Sequence, residues 1–81
     1  MDKAMWTELS EIVKYHRRQS GLTQAKLADL SGVGKTAVFD LEKGCANTRL
    51  QTLKKILKAL NIETQFSSPL MDEFKKLREK T

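Results

Sequence analysis

The sequence predicts an all-α fold of five short helices, with one short strand between the fourth and the fifth helix. Apolar residues recur at intervals of three or four in several windows, which is the spacing of one helix face. Glycines or cap-forming residues separate these windows, and a single stretch near the C-terminal end alternates with a period of two instead. A chain of 81 residues has room for one modest core, so we expect one domain.

The first helix is predicted over residues 7–20. Leu9, Ile12 and Val13 lie at helical spacing with charged residues on the other side, and Gly21 follows as a stop signal. This helix is expected to place its apolar face against the elements that follow.

Two shorter helices are predicted next, separated by a brief turn. Thr23 is the predicted N-cap of TQAKLADL, and Ser31-Gly32 breaks the pattern. Val33 is an apolar residue in the turn, and helical spacing resumes in TAVFDLEK until Gly44. The apolar face of this third helix consists of Ala37, Val38 and Leu41. Two short helices joined by a glycine-containing turn indicate a helix-turn-helix motif.

The fourth helix carries the strongest amphipathic pattern. The run Thr48-Arg49-Leu50-Gln51 fits a capping box, in which the Thr and Gln side chains satisfy backbone N–H groups at the helix start. Asn61 is expected to adopt a left-handed conformation at the helix end. The predicted apolar stripe comprises Leu50, Leu53, Ile56, Leu57 and Leu60, opposite Lys54, Lys55 and Lys58.

The segment 62–67 is predicted to be a strand, because Ile62, Thr64 and Phe66 alternate with polar residues. Nothing else in the sequence resembles a strand, so its backbone hydrogen bonds are expected to go to the same segment of a second copy. These three residues are therefore predicted to form the contact of a homodimer.

The chain is accordingly divided into a helix-turn-helix domain (1–61), a dimerisation strand (62–67) and a C-terminal tail (68–81). Ser68-Pro69 can start a short helix in the tail, which we expect to be helical or else disordered until it docks on a partner. The apolar face of that helix would consist of Leu70, Met71, Phe74 and Leu77.

Composition excludes several classes of protein. No run of apolar residues is long enough to span a bilayer and no signal peptide is recognisable, so we expect a cytoplasmic protein with no membrane partner. The chain has a single cysteine, Cys45, and a single histidine, His16, which exclude both an internal disulfide and a structural zinc site. We expect no metal, no cofactor and no catalytic residues. The net charge of +5 favours a polyanionic partner without identifying it.

The outward face of the third helix suits the major groove of DNA. It carries Lys35, Thr36, Phe39, Asp40 and Lys43, opposite the apolar face. Lysine can donate to guanine, threonine can hydrogen-bond a base edge or a phosphate, and an apolar group can lie against a thymine methyl group. A solvated face with one partly buried Phe would show the same spacing.

The stretch GLTQAKLADLSGVGKTAVFDLEKG resembles the helix-turn-helix of the Cro/C1-type (XRE) family of bacterial and phage repressors, over roughly residues 9–61. The resemblance implies a lambda-repressor-like bundle of about five helices that binds a palindromic operator as a dimer. It also implies base contacts from Gly34, Lys35, Thr36, Phe39 and Asp40. Asp40 departs from the family pattern, which usually has a longer polar or basic residue there.

The same resemblance implies residues that contact the DNA backbone. Gln24 matches a family glutamine that binds a phosphate beside the helix N-terminus. Arg17 and Glu42 match a family ion pair that links the first helix to the end of the third. The backbone contacts it implies are Arg17, Thr23, Gln24, Lys43, Asn47 and Arg49.

The stretch from LKALNI to ETQFSSPL resembles HipB-type antitoxins. In that subfamily a strand after the last helix pairs with its dimer mate, and the protein represses its own operon and binds a HipA-type kinase toxin. The chain is thus expected to be a sequence-specific, autoregulating repressor and the antitoxin of such an operon. Two alternatives stay open: a free-standing repressor without a toxin, and an interaction adaptor that has lost DNA binding.

Overall fold

A computed structural model describes residues 3–44 and 48–79 of the chain. Over this part, the chain forms five helices: α1 (Lys3–Gln19), α2 (Gln24–Ser31), α3 (Lys35–Glu42), α4 (Leu50–Ala59) and α5 (Met71–Glu79). The number and order of the helices agree with the prediction. None of the described helices is long and apolar enough to cross a membrane.

The core lies between α1, α2, α3 and α4. Its most deeply buried side chains are Val13, Leu27, Val38, Leu41 and Ile56, which leave almost no surface to solvent. Each of the four helices contributes at least one of them, so the orientation of α3 is determined by packing against its neighbours. Trp6, Ala28, Leu53, Leu57 and Leu60 complete the buried apolar set.

Helix α1 begins four residues earlier than predicted, and its buried face is shifted. The buried residues are Trp6, Ser10, Val13 and Arg17, which follow one another at helical intervals of three or four. Leu9 and Ile12, which were expected to point inward, are only half-buried. Polar side chains occupy two positions of this face, so a search for apolar spacing alone does not find it.

The start of α4 differs from the predicted capping box. Arg49 is the N-cap, and no side chain caps the helix there. Leu50 is 68% exposed because the buried part of the stripe begins only at Leu53. The end of α4 agrees with the prediction, since Asn61 has a φ of 59°.

The predicted strand over residues 62–67 is wrong. In the described part of the chain the segment has no strand structure and runs as an irregular connection between α4 and α5. The N–H of Ile62 donates to the carbonyl of Leu57 and so closes the end of α4, at 2.9 Å. The described residues offer no second strand with which the segment could pair, and a lone strand leaves its backbone groups without partners.

Helix α5 stands apart from the core. None of its described residues is buried, and Phe74 and Leu77 on its apolar side are each more than half exposed, as is Leu70 just before the helix. The radius of gyration is 14.9 Å, whereas a compact chain of this length would have about 12 Å. The excess shows that the segment after α4 does not fold back onto the four-helix core.

Candidate nucleic-acid interface

The turn between α2 and α3 sets the angle at which α3 is presented. Thr23 caps α2, with its hydroxyl accepting from the N–H of Lys26 at 3.0 Å. Gly32 ends α2 in the left-handed conformation with a φ of 72°, and the N–H of Val33 donates to the carbonyl of Ala28 at 3.0 Å. Val33 is half-buried against the core. The predicted N-cap and breaking residues of the motif are confirmed.

Helix α3 begins with an open N-terminus. Gly34 is its N-cap and makes no side-chain capping bond, so backbone N–H groups of the first turn are not covered by a side chain. A methyl group added at Gly34 would meet no atom within 4 Å. The helix start is therefore accessible from outside the protein.

An exposed ridge runs along the outer side of α3. Lys35, Thr36, Phe39 and Lys43 are all exposed, and they follow one another at the intervals of one helix face. Phe39 has 46% of its surface exposed. The structure thus places three of the five predicted base-contacting residues and one predicted backbone-contacting residue on a single surface. Their assignment to DNA stays a prediction.

Phe39 and Lys43 contact each other on this ridge. The Nζ atom of Lys43 lies 4.9 Å from the centroid of the Phe39 ring, within the range of a cation–π interaction. Lys43 is also the C-cap residue of α3, so its backbone position is tied to the helix end.

Asp40 does not share the exposure of the ridge. It is half-buried and lines a shallow cleft between α3 and the start of α4, together with Thr48 and Arg49. Asp40 follows Thr36 by four residues and so lies on the same side of α3, at the edge that borders this cleft. The predicted base contact of Asp40 is untested and would need the DNA to reach this cleft.

A buried ion pair joins α1 to the end of α3. The Nε and one terminal nitrogen of Arg17 donate to the two carboxylate oxygens of Glu42, at 2.6 and 2.9 Å. The other terminal nitrogen donates to the carbonyl of Leu22 at 2.8 Å. The two side chains are 11% and 2% exposed. The predicted link between α1 and α3 is thus present as a two-pronged contact.

The ion pair shifts both ionisation equilibria toward the charged forms. The hydrogen bond with Glu42 raises the pKa of the Arg17 guanidinium, against the opposing effect of burial. Burial by itself would raise the pKa of Glu42, but hydrogen bonds from Arg17 and Gln24, with the charges of Arg17 and Lys14, hold it below its ordinary value. Both groups are charged at neutral pH.

Gln24 belongs to the same network. Its Nε2 atom donates to Glu42 at 3.1 Å, so the amide is held at the first turn of α2. An amide carries two N–H donors, and the second is not used by this bond. Sequence reasoning assigned Gln24 to a phosphate but missed its bond to Glu42, because residues 18 positions apart meet only in the folded chain.

Two predicted phosphate contacts are constrained by this geometry. Arg17 uses three of its five N–H donors within the protein, so a phosphate would meet only the remaining two. The Thr23 oxygen accepts the capping bond, and its hydroxyl hydrogen stays available as a donor. Arg49 is exposed at the start of α4, whereas Asn47 and Cys45 lie outside the described residues. Whether these residues bind DNA is untested.

The predicted dimer contacts differ in exposure. Ile62 is half-buried against the core, while Thr64 is exposed and Phe66 is 81% exposed. Ile62 and Thr64 line one open cavity beside α4, and the assignment of the three residues to a dimer contact stays a prediction. No cluster of three or more metal-ligating side chains occurs among the described residues.

Comparison with known proteins places this geometry in a family. The helix-turn-helix family profile matches residues 13–66. The chain is 36% identical over 56 residues to Antitoxin HipB of Escherichia coli (strain K12), an overlap of 69% of this chain and 64% of HipB. It is 38% identical over 63 residues to the HTH-type transcriptional regulator PuuR of the same organism, covering 75% of this chain and 32% of PuuR.

A solved structure of a HipA-HipB-O2-O3 complex contains a chain with the same fold. The TM-score is 0.72 at 31% sequence identity, over 79% of this chain and 90% of that chain. This chain spans less than two thirds of the length of HipB and of PuuR.

Proposed function

The chain belongs to the helix-turn-helix family, and on that premise we propose that it is a dimeric, sequence-specific DNA-binding repressor and an antitoxin that autoregulates its operon. The observation that carries the proposal is the exposed ridge of Lys35, Thr36 and Phe39 on a helix whose other side is locked into the core. The proposed partners are operator DNA and a HipA-type kinase toxin.

The ridge supports base recognition because its side chains match the major groove. Lys35 and Thr36 stand at the first turn of α3, which is the part of a recognition helix that meets base edges in this motif. An ammonium group can donate to guanine, and a hydroxyl can bind a base edge. The two hydrogen bonds from Arg17 to Glu42 hold the end of α3 against α1, so the orientation of these side chains is fixed before DNA binds.

The charge near the ridge supports affinity for the phosphate backbone. Lys43 and Arg49 are exposed near the C-terminal end of α3 and the start of α4. Lysine and arginine contacts to phosphate release counterions and make binding salt-dependent without selecting a sequence. Helix α4 carries further positive charge at Lys54, Lys55 and Lys58. These lysines either contact phosphates or form a solvated face, and only phosphate contacts would increase the salt dependence of DNA binding.

The antitoxin part of the proposal is supported by the similarity to HipB and by the solved HipA-HipB-O2-O3 complex. It follows that the chain would act by binding, without catalysing a reaction of its own, and at the nucleoid of the cytoplasm, where its operator lies. The similarity to PuuR favours one alternative, a transcriptional regulator without a toxin.

A gel-shift titration tests the DNA-binding proposal. The full chain is titrated against the DNA upstream of its own reading frame and against a scrambled duplex, at two salt concentrations. Selective binding that persists at the higher salt is expected. Equal, salt-sensitive binding to both duplexes would contradict it and leave the adaptor interpretation.

Co-purification tests the antitoxin proposal. A kinase-like protein encoded beside this chain is expressed with it and without it, and complex formation and relief of growth arrest are measured. A selective operator complex without any toxin complex would establish the free-standing repressor instead.

A further inference from the structure

We propose that Phe39 and Lys43 together recognise the C5-methyl group of thymine in the major groove. The inference rests on the proposed function and extends it, since it assigns a specific base feature to a specific pair of side chains. The pair emerges only from the structure, where Lys43 lies over the ring.

The position of the pair supports contact with a base. Phe39 follows Lys35 and Thr36 at intervals of four and three residues, so all three share the outer side of α3. Its side chain stays 46% exposed, whereas the apolar residues on the inner side are buried. A duplex whose major groove runs along this side of α3 and meets Lys35 therefore also meets the Phe39 ring, one helical turn further on.

The chemistry of the ring selects the ligand. Phenylalanine has no hydrogen-bonding atom, and contact with the N7, O6, O4, N6 or N4 groups of the base edges would only remove water from them. The thymine methyl is the one apolar group among the major-groove edges of the four standard bases. Methylated cytosine presents a methyl group at the same ring position and is the second possible source of this chemistry.

Lys43 completes the unit by holding the ring. Its ammonium lies 4.9 Å from the ring centroid and covers one face, which leaves the ring edge and the other face for the methyl group. An ammonium has three N–H donors, so Lys43 can contact the ring and a phosphate at the same time. The lysine is thus a positioning residue for Phe39 as well as a phosphate contact.

Removal of single methyl groups from the DNA tests the proposal. A high-affinity duplex is obtained by selection of the full chain on a randomised library, and each thymine is then replaced in turn by deoxyuridine. Loss of one buried methyl-sized contact is worth about fourfold in affinity (~0.8 kcal/mol). We expect about fourfold weaker binding at one thymine of each half-site, and about sixteenfold when both are replaced.

Protein variants assign the effect to the pair. The ratio of affinities for thymine and uracil duplexes is expected to fall to one in Phe39→Ala and below about twofold in Lys43→Gln, which also binds both duplexes more weakly. Phe74→Ala is the matched control, since Phe74 is an exposed aromatic on α5 with Arg78 over its ring at 5.7 Å. Its ratio should equal that of the wild type.

Several results would overturn the proposal. If the wild type binds thymine and uracil duplexes equally well at every thymine of a selectively bound duplex, no methyl group is recognised. The proposed function, selective DNA binding, would still hold. If the ratio of affinities for thymine and uracil duplexes is unchanged in Phe39→Ala, Phe39 does not contact the methyl group. If the ratio is unchanged in Lys43→Gln, Lys43 does not position the ring. A gain on methylating cytosine without any loss at uracil would replace thymine by 5-methylcytosine. Failure of the selection to enrich any sequence would refute the proposed function itself.

Discussion

Glu42 is the side chain through which three helices meet. It accepts hydrogen bonds from Arg17 on α1 and Gln24 on α2, while its own backbone ends α3. With only 2% of its side chain exposed, its charge depends on these partners. A buried pair of this kind gives little net stability over an apolar pair, but removing one partner leaves the other charge without compensation.

Glu42→Ala should therefore destabilise the protein by about 3–5 kcal/mol, because the Arg17 charge stays buried without its partner. Chemical denaturation of the purified chain measures the change. Glu8→Ala, an exposed acid on α1, is the matched control and should stay within about 0.5 kcal/mol of the wild type. A small effect of both substitutions would show that Arg17 finds another partner or water.

The same carboxylate should make stability depend on acidity. Its folded pKa lies below the ordinary value of 4.5, so it stabilises the folded state fully above that value and loses this contribution as the pH falls through the folded pKa. We expect the gap in unfolding free energy between the wild type and Glu42→Gln to be constant above about pH 5 and to narrow in more acidic solution. A gap that does not change with acidity would contradict the assigned shift.

Lys35 and Thr36 are exposed and can be changed without touching the core. The double variant Lys35→Ala with Thr36→Ala should lose operator preference, since each good base contact is worth about 1–3 kcal/mol of discrimination. Competition binding of the operator and a scrambled duplex measures the preference, and the melting temperature confirms the fold. Unchanged discrimination in a folded variant would place the base contacts elsewhere.

Among the elements, the turn between α2 and α3 carries the most specific backbone requirement. Gly32 has a φ of 72°, whereas Gly34 has a φ of −73° that any residue can adopt. Neither position requires glycine for lack of space, because an added methyl group meets no atom within 4 Å at either one. The difference between them is backbone conformation alone.

Gly32→Ala should thus cost about 1–2 kcal/mol, the price of the left-handed conformation for a residue with a Cβ atom. Gly34→Ala should change stability by no more than about 0.5 kcal/mol, because the poorer N-cap preference of Ala is offset by the smaller backbone entropy of its unfolded state. Thermal unfolding of both variants makes the comparison. Equal losses of unfolding free energy in the two variants would show that the left-handed conformation of Gly32 does not account for the cost.

In the whole molecule, the four-helix core and the segment after α4 are energetically separate. Leu60 closes the core, Ile62 packs on its edge, and no described residue after Ile62 is buried. The segment 63–79 therefore adds exposed apolar surface without adding to the core. Self-association through Ile62, Thr64 and Phe66 stays a prediction.

Two truncations separate these contributions. Removal of residues 68–81 should leave the melting temperature and the number of chains per particle in sedimentation unchanged, because α5 buries nothing. Removal of residues 62–81 should lower both, since it deletes Ile62 from the core edge and the predicted dimer contacts. Loss of the dimer already in the shorter truncation would move the dimer surface to α5.

Local sequence determined the four core helices, the left-handed positions and the family. Thr23, Gly32 and Asn61 act through their own backbone or immediate neighbours, so their roles follow from residue type and spacing. The LTQ to LEKG series predicted the Cro/C1-type helix-turn-helix, and the stretch from LKALNI to ETQFSSPL predicted the HipB likeness. Both likenesses are confirmed by the comparisons.

Only the tertiary structure decided which surfaces are buried and which groups meet. Alternation made residues 62–67 resemble a strand, but pairing depends on a neighbour that local sequence does not contain. Leu50 fits the apolar stripe yet lies outside the core, and the bond from Gln24 to Glu42 joins helices distant along the chain. Periodicity reports which face of a helix is apolar, whereas burial and hydrogen bonding depend on what the completed fold places against that face.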